Sequence, residues 1–240
     1  GVTGDTFNFL KQASKYGVED WFKLGDRDLA LHVARTEMMK SGLTLAEVTA
    51  LLAEKMQVRP RLLPASNEHM ETRIVTPQGE MHLQEFWVKL KGEPEVLDVK
   101  YQGSAHPQPA PGVVEAILDA RKVVICPANP VTSIGPITSI KEIRDALKRV
   151  RERVVAVSPL VGNRPVSGPA GKLLQGIGAE VSPKGVSQLY SSFIRRIVID
   201  KSDETLVNSI RSIGVEALVT DIIMKNEEDE QRLAEFIINV

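Results

Sequence analysis

Most signatures of a specialised protein class are missing from this chain. A single cysteine, Cys126, stands in 240 residues, so no internal disulfide can form. A lone thiol at the end of an apolar run suits a reducing compartment, and a cytoplasmic location is the resulting expectation. No apolar stretch reaches the roughly 18 residues of a membrane helix, and the N-terminus lacks the charged and apolar regions of a signal peptide. An excess of one charge is missing too. Thirty Lys and Arg against 31 Asp and Glu, interspersed, leave a formal net charge of -1. That balance offers no footprint for a duplex or an anionic membrane, so nucleic acid and membrane are not expected as partners. Any nucleotide ligand should be small.

Standard motifs fail as well, and each failure narrows the field. His32, His69, His82 and His106 show no metal-ligand spacing with one another or with Cys126, so a structural zinc is not expected. "SGPAGK" resembles the end of a phosphate-binding P-loop, but the first glycine of G-x-x-x-x-G-K falls at Val166 and Leu173 follows Lys172. "GIGAEV" at Gly176 lacks its third glycine and follows a helix pattern instead of a strand, which disfavours an NAD-dependent dehydrogenase. Gly178 reads better as part of a helix-ending turn.

What is present has ordinary globular proportions, with 42% hydrophobic and 25% charged residues, and enough length for a real core. Residues 1–56 read as a helical segment: "TFNFLKQASKY", with Asp5 as N-cap and Gly17 as stop, then "DLALHVARTEMMKSG" and "TLAEVTALLAEKM". Thr44 and Glu47 form a capping box before the third helix. Residues 57–103 alternate like strands, with "ETRIVT" and "MHLQEFWVKL" as a hairpin and "EVLDVKYQG" as a third strand. This is a small antiparallel β insert. From residue 111 to 240, short β-branched runs such as "KVVIC", "RVVAVS", "RRIVID" and "EALVT" are separated by helix patterns. That alternation predicts a Rossmann-like, mostly parallel sheet with helices on both faces. The whole reads as a single α/β domain. Because Gly1 has no preceding methionine and leads almost at once into a helix pattern, the domain is expected to be N-terminally incomplete.

In an open parallel sheet the ligand crevice lies at the carboxyl ends of the strands. The loops after "KVVIC" and "RVVAVS" are "PANPVTSIGP" and "PLVGNRPVSGPAGK". Prolines here can simply end strands, and Ser and Asn can cap turns. Two such loops on one sheet edge favour a ligand site instead. Glycines permit close backbone approach, and free amides with Asn129, Thr132, Ser133, Asn163 and Ser167 suit anionic oxygens, with Arg164 and Lys172 supplying positive charge. A third cluster, "WFKLGDRDLALH", crowds Lys23, Asp26, Arg27 and Asp28 around Gly25, with His32 one helical turn beyond Asp28. Read as structure, Asp26 or Asp28 caps a helix and Arg27 joins a surface ion pair. Read as function, the cluster is an acid and base pair or an anion clamp.

"WFKLGDRDLALH", "RLLPAS", "HLQEFWV", "ANPVTSIGPI" and "VSPLVGNRPVSGPAGK", in that order over almost the whole chain, resemble the 2-phospho-L-lactate transferase family of deazaflavin coenzyme biosynthesis. Bacterial members of that family act as phosphoenolpyruvate transferases. The resemblance implies transfer of a phospholactyl or phosphoenolpyruvyl group from a guanosine diphosphate-linked donor to a deazariboflavin, releasing GMP with Mg²⁺ assisting. It implies phosphate or acceptor contacts at Asn129, Pro130, Thr132, Ser133, Gly135, Pro136, Asn163, Arg164, Ser167, Gly168 and Lys172. Lys23, Asp26, Arg27 and Asp28 would surround the reacting group, His32 would contact substrate, and Trp87 would offer aromatic surface to the deazaflavin, although a strand with alternating apolar residues also uses such a ring as core. Family members begin with a strand, a G-G-x-G turn and an aspartate-bearing segment. None of it occurs in residues 1–240, which places the principal metal ligands upstream of Gly1. A homodimer is expected of an α/β enzyme of this size. The alternative is a non-catalytic nucleotide- or sugar-nucleotide-binding module of gluconeogenesis-factor type.

Overall fold

A computed structural model of the chain describes residues 2–162, 164–166 and 168–240. Three helices open it: α1 Asn8–Ser14, α2 Asp26–Lys40 and α3 Leu45–Lys55. The capping box forms, with the Thr44 hydroxyl accepting from the Glu47 amide and the Glu47 carboxylate accepting from the Thr44 amide at 2.7 Å. Gly17, expected to end the first helix, takes a φ of 85° after α1.

The insert is a three-stranded antiparallel sheet in which β1 Met70–Thr76 lies between β2 Gly79–His82 and β3 Asp98–Gly103. One expectation fails here. "MHLQEFWVKL" is not a single strand, because β2 ends at His82 and the chain turns helical, running from Glu85 to Lys89 as a π-turn. His82 helps to make the switch, since its Nδ1 accepts from the Gln84 amide at 3.2 Å. Phe86 is fully buried while Trp87 stays 42% exposed. That neighbouring in-and-out contrast suits a strand and a helical turn equally, so the short run misled the period test.

The remaining half begins with α4 Val113–Asp119, β4 Val123–Ile125 and a second π-turn, Pro130–Ile134. Then come α5 Gly135–Ser139, α6 Lys141–Arg149, β5 Val154–Val157 and a small hairpin of β6 Leu160–Val161 and β7 Arg164–Pro165. It closes with α7 Ala170–Gly176, α8 Pro183–Tyr190, β8 Arg196–Asp200, α9 Val207–Arg211, β9 Glu216–Thr220 and α10 Glu227–Asn239. Strands β4, β5, β8 and β9 pair in that order, all parallel. Every residue of β5 is buried. Its alternate side chains serve two cores: Val154 and Ala156 join the larger one, which also takes Ile74 and Phe86 from the insert, while Val155 and Val157 meet Leu233 and Ile237 of α10. The expected parallel sheet, helices on both faces and antiparallel insert are therefore present.

Candidate active site

The strands β4 and β5 release their loops at the same sheet edge, and a cleft of about 560 Å³ opens there. That volume is within the usual range for small-molecule sites. Asn129, Thr132 and Ser133 line it from the loop after β4, Ser158 and Gly168 from the loop after β5, and Gln84 and Trp87 from the first π-turn region. Two π-turns thus flank one cleft, a local geometry that recurs at functional sites.

The loop after β4 is organised by Asn129. Its Oδ1 accepts from the amides of Val131 at 2.9 Å and Thr132 at 3.2 Å, and its carbonyl accepts from Ser133 at 3.0 Å and Ile134 at 3.1 Å. The free amides expected of this loop are therefore already taken within the turn. What it presents to a ligand is side-chain chemistry: the hydroxyls of Thr132 and Ser133 and the carboxamide nitrogen of Asn129. Ser158 locks the end of β5 in a similar way. Fully buried, it donates through its amide to Val198 O at 2.9 Å, and its hydroxyl bridges both backbone groups of Leu160. Next to it the turn at Gly162 is held by Asp203, whose two carboxylate oxygens each lie 3.0 Å from the Gly162 amide. Asp203 is only 3% exposed, and burial pushes its carboxyl above the ordinary range.

Trp87, Asn129, Thr132, Ser133 and Gly168 come together in the cleft, and other expected site residues go elsewhere. Pro130 is buried, and Gly135 packs against Tyr101, where a Cβ would stand 1.9 Å from the phenol oxygen. That phenol donates to Val131 O, and burial pushes its pKa up to about 12. Pro136 lends its carbonyl to the Ser139 hydroxyl at 2.7 Å. Lys172 donates to the carbonyls of Gly92 and Glu93, the latter at 2.9 Å, so it ties α7 to the insert. Arg164 is exposed on β7 and does not line the cleft. Asn163 and Ser167 lie outside the described residues.

The "KLGDRD" cluster is a pair of exchanged caps. Asp26 accepts from the Thr6 hydroxyl at 2.6 Å and from the amides of Asn8 at 2.9 Å and Phe9 at 3.0 Å, so it caps α1. Asp5, expected to cap α1, instead accepts from Arg27 and Asp28 at the start of α2. Gly25 fits between them because any Cβ would lie 2.1 Å from the Asp5 carboxylate. The Thr6 hydroxyl and the Asn8 amide hold the Asp26 carboxyl below its ordinary value of 3.8. Lys23, Arg27, Asp28 and His32 do not line the cleft, but Phe22, one residue before Lys23, does.

Sequence reasoning missed Phe22, Gln84, Ser158, Ile222 and Met224 as lining residues. Ile222 and Met224 follow β9, and the rule that singled out the loops after β4 and β5 applies equally to that strand. Among the described residues no group of three or more His, Cys, Asp or Glu could hold a metal ion, and none of those types lines the cleft. These residues do not fit a Mg²⁺ site.

Fold and cleft together define an α/β protein with a cleft of small-molecule size at the carboxyl edge of a parallel sheet. Residues 2–237 match the model of the family described as 2-phospho-L-lactate transferase CofD, and the chain belongs to that family of transferases. It is 40% identical over 240 residues to the 2-phospho-L-lactate transferase of Methanosarcina acetivorans, covering 100% of this chain and 78% of that one. It is also 40% identical over 242 residues to the Methanocaldococcus jannaschii enzyme of the same name, covering 99% and 76% of the two chains. A UPF0052 family protein from Bacillus halodurans shares the fold, with a TM-score of 0.66 at 16% identity over 90% of this chain and 72% of that one. No helix among the described residues is long and apolar enough to cross a membrane.

Two outcomes are expected from this geometry. Asn129→Ala should lose about 1 kcal/mol of stability with its cap, whereas Asn129→Asp should keep the cap, melt like wild type and bind phosphate-bearing ligands more weakly. Thermal melts and calorimetry check both; wild-type binding by Asn129→Asp would remove the residue from the site. For Asp26, whose folded pKa is depressed, the cap's contribution is complete above pH 3.8 and fades as the pH falls through the lower folded value. Amide exchange should show α1 loosening in that acid window, and Asp26→Asn should remove the part of the pH dependence that Asp26 supplies while leaving the part from Asp5.

Proposed function

We propose that the protein transfers a phospholactyl or phosphoenolpyruvyl group from a guanosine diphosphate-linked donor to 7,8-didemethyl-8-hydroxy-5-deazariboflavin, releasing GMP. The observation that carries this reading is family membership along residues 2–237, joined to a cleft whose two sides differ in chemistry. Thr132, Ser133 and Asn129 form a hydrogen-bonding side suited to phosphate oxygens. Trp87 and Phe22, both 42% exposed, form an apolar side suited to a planar ring.

In the reaction the acceptor's ribityl hydroxyl oxygen bonds to the phosphorus that carries the three-carbon acid. The bridging P–O bond to GMP breaks, GMP leaves with that oxygen, and the hydroxyl proton is released. Such a transfer depends mainly on positioning and on neutralising phosphate charge. The hydroxyl and carboxamide groups after β4 orient the diphosphate, while the aromatic side holds the acceptor and keeps water from competing for the phosphorus. The Mg²⁺ that the resemblance implies finds no ligand set among the described residues, and none of these steps is routed through it. Homodimer formation and a cytoplasmic location belong to the same reading.

The test mixes the protein, Mg²⁺, the guanylylated three-carbon donor and the deazaflavin. Coupled appearance of GMP and the phosphorylated coenzyme precursor is expected; neither product from wild-type protein would sink the proposal. Trp87→Ala should raise the KM for the acceptor about tenfold, matching a stacking loss of ~1.4 kcal/mol, and leave the KM for the donor unchanged.

A further inference from the structure

Four buried side-chain atoms lack a hydrogen-bond partner among the described residues: Glu68 Oε2, Arg73 Nε, Gln84 Oε1 and Tyr190 Oη. Gln84 is the one of these residues that lines the cleft after β4 and β5. A dry, unpaired amide oxygen is destabilising, and such a group in a native protein requires an explanation. The oxygen is shut off from solvent as it stands, and a turn of the terminal amide torsion is what would bring it to a ligand in the cleft.

The backbone around Gln84 is well anchored. Its amide donates to His82 Nδ1, which keeps the imidazole proton on Nε2, 3.8 Å from Glu71 Oε2. Trp87 follows three residues later and lines the same cleft, as expected of neighbours on one helical face. A carboxamide and an indole side by side form a reader for a flat heteroaromatic ring: the indole takes the face and the carboxamide takes the edge. The edge that matches a carboxamide with two bonds is a cis N–H/C=O unit, because one side of the amide accepts and the other donates. Rotation about the soft terminal torsion of glutamine turns either atom toward the cleft at little cost.

We propose that Gln84 reads the lactam edge of the ring that stacks on Trp87. The proposal rests on the transferase reading, which supplies that ring as the pyrimidinedione of the deazaflavin, read through N3–H. Gln84 is then a specificity-determining residue. An isosteric ring without that N–H leaves the carboxamide oxygen unpaired again and is rejected.

Calorimetry on the wild-type protein and Gln84→Leu, with the deazariboflavin, its N3-methyl derivative and GDP, tests this. In the wild type, N3-methylation should weaken acceptor binding about tenfold or more. Gln84→Leu should bind the parent deazaflavin about tenfold more weakly and the N3-methyl compound no worse, and it should melt at or above the wild-type temperature because the orphan oxygen is gone. Loss confined to GDP, unchanged affinity for the deazaflavin, or equal losses for the parent and methylated acceptors overturns it while leaving the transferase reading standing. Wild-type protein that binds neither ring overturns both. Gln84→Met, close to glutamine in length, repeats the comparison if Gln84→Leu fails to fold.

Discussion

The parallel pairing of β5 between β4 and β8 is the constraint on which the rest depends. A parallel strand buried on both faces cannot turn back on itself, so each chain segment must leave at the carboxyl edge and return through a helix. Val154 to Val157 meet this demand with four buried apolar residues that feed two cores. Register with Val123 to Ile125 then brings the loops after β4 and β5 out side by side. The cleft is a consequence of that shared exit.

Loops leaving a dry sheet must satisfy their own backbone, and here they do so before any ligand arrives. Asn129 takes up four amides after β4, Ser158 closes on Leu160 after β5, and Asp203 holds the Gly162 turn from beyond β8. The cost of this rigidity is that few backbone donors remain for phosphates. On the proposed reading recognition falls to side chains: hydroxyls and a carboxamide on one side, aromatic surface and Gln84 on the other. This division of labour suits a reaction that joins a charged donor to a flat acceptor.

Where apolar runs were long or caps had a distinctive spacing, the sequence was legible. The four parallel strands, the Thr44 and Glu47 capping box and the loop bearing Asn129, Thr132 and Ser133 could all be read from local chemistry. The π-turn at Glu85 could not, because five residues do not distinguish a period of two from a helical one. Nor could the exchange of caps between Asp5 and Asp26, since each carboxylate serves a helix about 20 residues from itself in sequence or nearer, and sequence shows only that both are good caps. The amide-rich loop misled for a related reason: composition counts donors, and only geometry shows which are already bonded. Lys172 was misplaced on the same ground, its charge being directed to the Gly92 and Glu93 carbonyls.

The central claim is that the two π-turns enclose the site of transfer, with phosphates at Thr132 and Ser133 and a ring on Trp87. A crystal structure of the protein with the deazaflavin acceptor and GDP tests it most directly. The ring is expected against Trp87 and the diphosphate beside the loop after β4. Ligand density lodged instead in the groove between α3 and residues 59–67, with the cleft empty, would contradict it.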